Sequence, residues 1–209
     1  GSEGLKPDLT APGVNITAAR SQYSTQGSGS YLSMSGTSMA TPHVAGAAAI
    51  LSQRHPDWSG AQLKDALMST TKKLDYIKPL EGGTGRLDFA AATLGDLRAT
   101  GSLDFGFYAW PHENDALKEK TITYTNDSDK PVTLDLSAKI TENSDADAPT
   151  GLFKLSMNKV TVPAKGSAKV NVTLDPNAAA NGQRYQGQIS ANVDGKTVVH
   201  TAVAMIKEE

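Results

Sequence analysis

The 209-residue sequence predicts an α/β segment followed by an all-β sandwich, and three observations carry that expectation. Residues 1–98 are rich in alanine and glycine and show helical periodicity. Between residues 39 and 52 the sequence is apolar on nearly every side of a helix, the pattern of one packed all round. Residues 99–209 break instead into short alternating runs separated by turn residues. The junction is expected near residues 95–101.

In chain order, LKPDLTAPGVNITAA (5–19) holds two prolines and several β-branched residues and reads as loop, short strand and turn. A helix is expected over 39–52, starting at Thr37 or Ser38. Pro42 then falls in its first turn, where a missing N–H costs little because those donors lack intrahelical acceptors. A second helix follows Ser59, an N-cap with Gln62 at capping-box spacing, and Leu63, Ala66, Leu67 and Thr70 form its apolar stripe. GGTGRLDFAAATLG (82–95) turns on three glycines and ends in a short alanine-rich helix. The later runs KTITYTN, VTLDLSAKI, KVTVPA, AKVNVTL, YQGQISANV and KTVVHTAVAMI read as strands, with Asp194-Gly195 a strong hairpin signal. Six or seven short strands so spaced favour a sandwich.

Composition removes several function classes. Net charge is −2 with 38% hydrophobic residues, so no basic excess points to nucleic acid or to an anionic membrane, and neither partner is expected. The longest apolar run, 44–51, is far short of the roughly 20 residues that span a bilayer. The absence of cysteine leaves neither a disulfide framework nor a thiolate zinc site. The opening GSEGLKPD lacks the charged-then-apolar pattern of a signal peptide.

One stretch carries chemistry. SGTSMATPHVAG (35–46) resembles the nucleophile motif of the subtilisin-like serine proteases over twelve consecutive positions. LKPDLTAPGVNI (5–16) resembles the segment that precedes the motif in that family, and GTGRLDFAAA (83–92) the way its catalytic domains end. The resemblance covers residues 4 to about 95 and implies that Ser38 is the nucleophile of an endopeptidase that cleaves protein or peptide substrates through an acyl-enzyme.

The chemistry of the position agrees with that role. A serine hydroxyl needs a base to take its proton and donors aimed at the developing oxyanion. A helix start supplies free N–H groups and the positive end of the dipole, and the Ser38 N–H is itself a candidate donor. The plainer alternative is an N-cap serine. A lipase-type elbow is excluded, because Ser38 sits in GTSMA rather than G-x-S-x-G.

The resemblance also implies partners outside these residues. The family orders its triad as aspartate, histidine, serine and takes a further oxyanion donor from an asparagine, all of which would lie upstream of residue 1. The expectation is the C-terminal part of a mainly parallel-sheet subtilisin-like domain, silent by itself. Its exposed core would be covered by the upstream part of the same protease or by a second copy. Secretion follows from the resemblance, as does calcium binding in the parent, which cannot be placed here. Asp145 and Asp147 are too few for a calcium site, no cofactor is visible, and no ligand spacing suggests another metal.

Nothing nearby replaces the missing base. His43 lies five positions after Ser38, about 140° around the helix, and is expected to be a packed, hydrogen-bonded residue. His55 is expected at the helix C-terminal dipole, while His112 and His200 lie in the β region. Asp8, in KPD, does not match the family's aspartate motif.

Residues 101–209 resemble the fibronectin type III-like sandwiches that follow the catalytic domain in larger secreted subtilases, on strand pattern and position alone. LDFGFYAWPHE (103–113) concentrates four aromatics and reads either as a peptide or carbohydrate platform or as core and seam. The N-x-[ST] triplets at Asn15, Asn126 and Asn171 carry no reading. A different functional class stays open: a non-catalytic binding or assembly module in which the β-sandwich is the working part.

Overall fold

The computed structural model describes residues 4–209. Strands β1 (Ile16–Ala19) and β2 (Tyr31–Met34) form an antiparallel hairpin. Helices α1 (Thr37–Arg54), α2 (Gly60–Ser69), α3 (Pro79–Gly82) and α4 (Phe89–Leu94) follow. The predicted helix over 39–52 is α1, two residues longer at each end.

Helix α2 begins where its sequence says it should. The Ser59 hydroxyl accepts from the Gln62 N–H at 3.3 Å, and the Gln62 side chain accepts from the Ser59 N–H at 2.8 Å. Both donors lack intrahelical acceptors, so each bond satisfies a group that would otherwise go unmet. Ser59→Ala is expected to cost about 1 kcal/mol, a fall of roughly 3 °C in a thermal melt of a chain this size. An unchanged midpoint would show that the cap contributes nothing.

Helix α1 departs from expectation. Its sequence is apolar all round, yet only Ala47 and Leu51 are buried, while Ala45, Ala49 and Ile50 stand exposed. The reason is a shortage of partners: Ala66 and Leu67 of α2 and Ala92 of α4 complete a small buried cluster on one side. Among the described residues, no element covers the opposite face.

The remaining chain forms two sheets. Strands β3 (Leu97–Ala99), β5 (Lys118–Asn126), β7 (Phe153–Leu155) and β9 (Gly166–Leu174) make one, in the order β3-β5-β9-β7. Strands β4 (Ser102–Tyr108), β6 (Val132–Thr141), β8 (Lys159–Val162), β10 (Arg184–Val193) and β11 (Lys196–Lys207) make the other, ordered β4-β11-β10-β6-β8. Their alternating inward residues, among them Ile122, Val170 and Leu174 from the first and Leu134, Ile189 and Met205 from the second, form one hydrophobic cluster.

Hairpin β10–β11 turns through Asp194 and Gly195, both at positive φ (49° and 75°), as a tight two-residue turn requires. Pairing is antiparallel throughout except between β4 and β11, where Ala202 lies beside Ser102. Strand β3 straddles the 98/99 junction and pairs with β5. The aromatic stretch at 103–113 divides by depth: Phe105 and Tyr108 are core, and Trp110 is 70% exposed.

The outward faces of β10 and β11 carry the helical region. Residues 199–205 of β11 are buried on both sides. Val199, Val203 and Met205 enter the sheet core, whereas Ala202 and Ala204 pack on Leu5 and Leu80. Polar ties accompany that packing: the Leu80 N–H donates to Gln186 Oε1 (2.7 Å), the Gln188 side-chain amide to the Thr84 carbonyl (2.8 Å), and the Gly101 N–H to Asp65 Oδ1 (2.8 Å). A second link joins the far end of α1 to β3. The His55 ring stacks on Trp58 at 3.8 Å, and the Arg98 guanidinium lies 4.1 Å above the Trp58 ring while pairing with Asp127.

Candidate functional site

Ser38 is exposed in the first turn of α1. It is not the N-cap: Gly36 occupies that position, without a side chain to cap anything, so the N-cap alternative for Ser38 does not hold. The N–H groups of Met39 and Ala40 turn back to the Gly36 carbonyl (3.0 and 3.3 Å), while those of Thr37 and Ser38 lie at the open end.

The turn that presents this end is clamped from the N-terminal side. The Gly36 N–H donates to the Gly13 carbonyl (2.7 Å), and the Asn15 N–H donates to Ser35 Oγ (2.9 Å). Gly13 allows the approach because a Cβ there would sit 2.8 Å from the Gly36 oxygen. Hairpin β1–β2 closes the same clamp from below, pairing Ile16 with Met34. Its loop is held by the Arg20 guanidinium, which donates to the carbonyls of Ser24, Gln26 and Gly29. The hydroxyl therefore sits on a braced turn at a helix's positive end, the setting in which developing negative charge is stabilised.

No histidine of the chain is brought to it. His43 Nδ1 lies 2.9 Å from the Met39 carbonyl on the same helix, the hydrogen-bonded role expected of it, although the ring is exposed rather than packed. His55 is the C-cap of α1, at the end of the helix where it is expected, and its ring stacks on Trp58. His112 sits between Asp115 (3.0 Å) and the Glu208 carbonyl (3.0 Å). His200 is buried against Thr71 and Thr84.

Three of the carboxylates are engaged as well. Asp8 pairs with Lys6 and Lys64 at 3.0 Å each; partial burial acts to raise its pKa, and the two ammonium groups outweigh that and hold it below the usual carboxylate value. Burial pushes Asp65 up, against the opposing hydrogen bond from Gly101. Asp145 pairs with Lys78 at 2.7 Å. Among the described residues no three histidines or carboxylates converge as metal ligands, and no helix is long and apolar enough to cross a membrane.

The seam residues Gln186, Gln188 and His200 were not singled out by the sequence reading. A signal was present: seven of the nine residues of VVHTAVAMI are apolar and they fall on both faces of the strand, the mark of a strand covered on both sides.

Comparison with known proteins agrees with the motif. The subtilase family profile matches residues 2–94. The minor extracellular protease Vpr of Bacillus subtilis is 31% identical over 217 residues, an alignment covering 98% of this chain and 25% of that protein. The subtilisin-like protease SBT1.3 of Arabidopsis thaliana is 45% identical over 109 residues, covering 46% of this chain and 14% of that one. The chain thus spans a quarter or less of the length of these relatives. Among solved structures, a PapD-like domain of human CEP192 aligns at TM-score 0.39 and 14% identity over 55% of this chain and 86% of that one, a likeness too low to argue from.

Proposed function

Residues 2–94 of this chain belong to the subtilase family, and on that premise we propose that Ser38 is the nucleophile of a secreted serine endopeptidase acting on protein or peptide substrates. In this reading Ser38 Oγ attacks the scissile carbonyl, its proton passes to a base, and the tetrahedral oxyanion is met by the Ser38 N–H at the helix start. Expulsion of the amine leaves an acyl-enzyme that water resolves. What supports the assignment is the match of the Ser35–Gly46 motif together with an exposed hydroxyl on a braced helix turn.

The base lies outside these 209 residues. All four histidines are engaged elsewhere, and a serine without an imidazole has little to activate it. The uncovered face of α1 is, in the same reading, the surface on which the rest of the catalytic domain packs. The two sheets of the later region are read as a β-sandwich that buttresses the helical part; the alignment to an extracellular protease runs through both regions. Secretion is carried over from that relative.

A fluorophosphonate probe tests the nucleophile and the missing base together. The 209-residue chain by itself is expected to remain unlabelled. A protein joining it to the upstream subtilase segment is expected to label at Ser38, identified by peptide mass spectrometry. Labelling at another serine would overturn the assignment, and labelling of the short chain would show that its activating group is internal.

A further inference from the structure

We propose that His200 is a proton-operated joint, whose neutral ring closes the seam between β11 and the 70–85 segment and whose protonation loosens it. The inference rests on the interface geometry and is independent of the role given to Ser38.

His200 points away from the sheet core, on the same face as Ala202 and Ala204. Its Nε2 lies 2.9 Å from Thr71 Oγ1 and 3.1 Å from the Thr84 carbonyl. The Thr71 hydroxyl donates to the Met68 carbonyl at 3.1 Å, so towards the ring it accepts. A carbonyl and an accepting hydroxyl both call for N–H at Nε2, which assigns the neutral ring's single proton to that nitrogen and leaves a lone pair on Nδ1. One ring thereby joins Thr71, two residues beyond α2, to the glycine-rich loop and both to β11. Thr84 in turn donates from its N–H to the Asp8 carbonyl (3.0 Å), which ties the joint to the segment that leads to Gly13 and the Ser38 turn.

A second proton must go to Nδ1, which has no hydrogen-bond partner among the described residues. Burial, the largest influence, lowers the pKa below the ordinary histidine value, and the nearby Lys73 ammonium lowers it further, against the Thr84 bond. Among the described residues no carboxylate hydrogen-bonds the ring. Asp65 of α2 accepts from Gly101, and Asp104 of β4 accepts from Leu5 and Gly106. Strand β10 offers Gln186, Gln188 and Ser190, all uncharged, while the exposed rim carries the cations Lys72, Lys73 and Arg86 and, on α3, Glu81, which accepts from the Lys78 N–H. Gln188 Oε1 is buried with no partner among the described residues, so the closed seam already holds one unmet acceptor.

The sign follows from linkage. A ring that resists protonation in the closed state binds fewer protons than in the open one. Closure is therefore fully supported above the ordinary histidine value of about 6.5 and weakens as pH falls below it.

Amide exchange of the 209-residue chain, corrected for intrinsic pH dependence, reads this directly at the Leu80 N–H and the Gln188 side-chain amide. Opening at pH 5.0 is expected to exceed that at pH 7.5 several-fold, up to a ceiling of about thirtyfold set by an open-state ring of ordinary pKa. In His200→Gln, which keeps a side-chain donor and does not titrate, the two values are expected to coincide. A flat wild-type profile, or equal acid loosening in the variant, overturns the proposal. If the variant does not fold, the wild-type ring signals of the four histidines decide. The joint requires His200 to stay neutral until the seam amides lose protection; a ring that protonates while they remain protected overturns it.

Discussion

In a protein that carries the complete catalytic domain, Ser38→Ala is expected to abolish peptide hydrolysis, lowering kcat on the order of 10⁵–10⁶-fold with KM little changed. The Oγ is asked to form a bond in the transition state and contributes little to binding the substrate beforehand, so the loss belongs to kcat. The experiment is clean because the residue does not hold the helix together. Gly36 is the N-cap, and Ser38 is exposed one residue further in than Thr37. The thermal midpoint should accordingly move by no more than an exposed substitution usually moves it, within about 0.5 kcal/mol. In the 209-residue chain by itself the same change should remove nothing measurable. Turnover by that chain, lost on Ser38→Ala, would place the base among these residues and reverse the reading of all four histidines.

Gly83→Ala should be the most damaging single methyl in the helical region. Gly83 has φ 63° and ψ −138°, a conformation open in practice only to glycine. A Cβ there would lie 2.3 Å from both the carbonyl carbon and the oxygen of Asp8, backbone atoms that cannot swing aside. Backbone strain of 1–2 kcal/mol and overpacking of 1–3 kcal/mol together suggest a loss of roughly 4 kcal/mol. For a chain this size that is a fall of about 10 °C in the thermal midpoint. Gly29→Ala, at φ 78° but with nothing within 4 Å of the added Cβ, isolates the backbone part and should cost less than half as much. Equal losses at the two positions would show that the Asp8 contact is not what matters.

How far the fold could be read from the sequence depended on what each element needed to declare itself. The capping box at Ser59 and the turn at Asp194-Gly195 are local devices, complete within four residues, and both stand where the sequence places them. Strands β2 and β7 escaped notice because they are four and three residues long and only partly buried, too short for a period to show. Strand β4 was read as an aromatic cluster; Gly106 at φ 83° and the slipped register against β11 break its alternation.

The burial of α1 was misread for a different reason. Periodicity reports what a helix is suited to touch, while burial depends on what stands beside it, and α2 and α4 reach only one side. The candidate site was legible as a motif and not as a geometry: Ser38 and the start of its helix can be read from the sequence, but the brace through Gly13 and Asn15 spans some twenty residues and leaves no local mark.

The parallel pairing of β4 with β11 has a consequence for how the molecule is made. Ser102 must wait for Ala202, a hundred residues later, before its side of the sheet exists. During synthesis the helical region therefore emerges long before the strand surface it rests on. Contacts this distant in sequence form slowly and leave apolar faces uncovered meanwhile. A ribosome-stalled chain lacking β11 should be the form most in need of a chaperone.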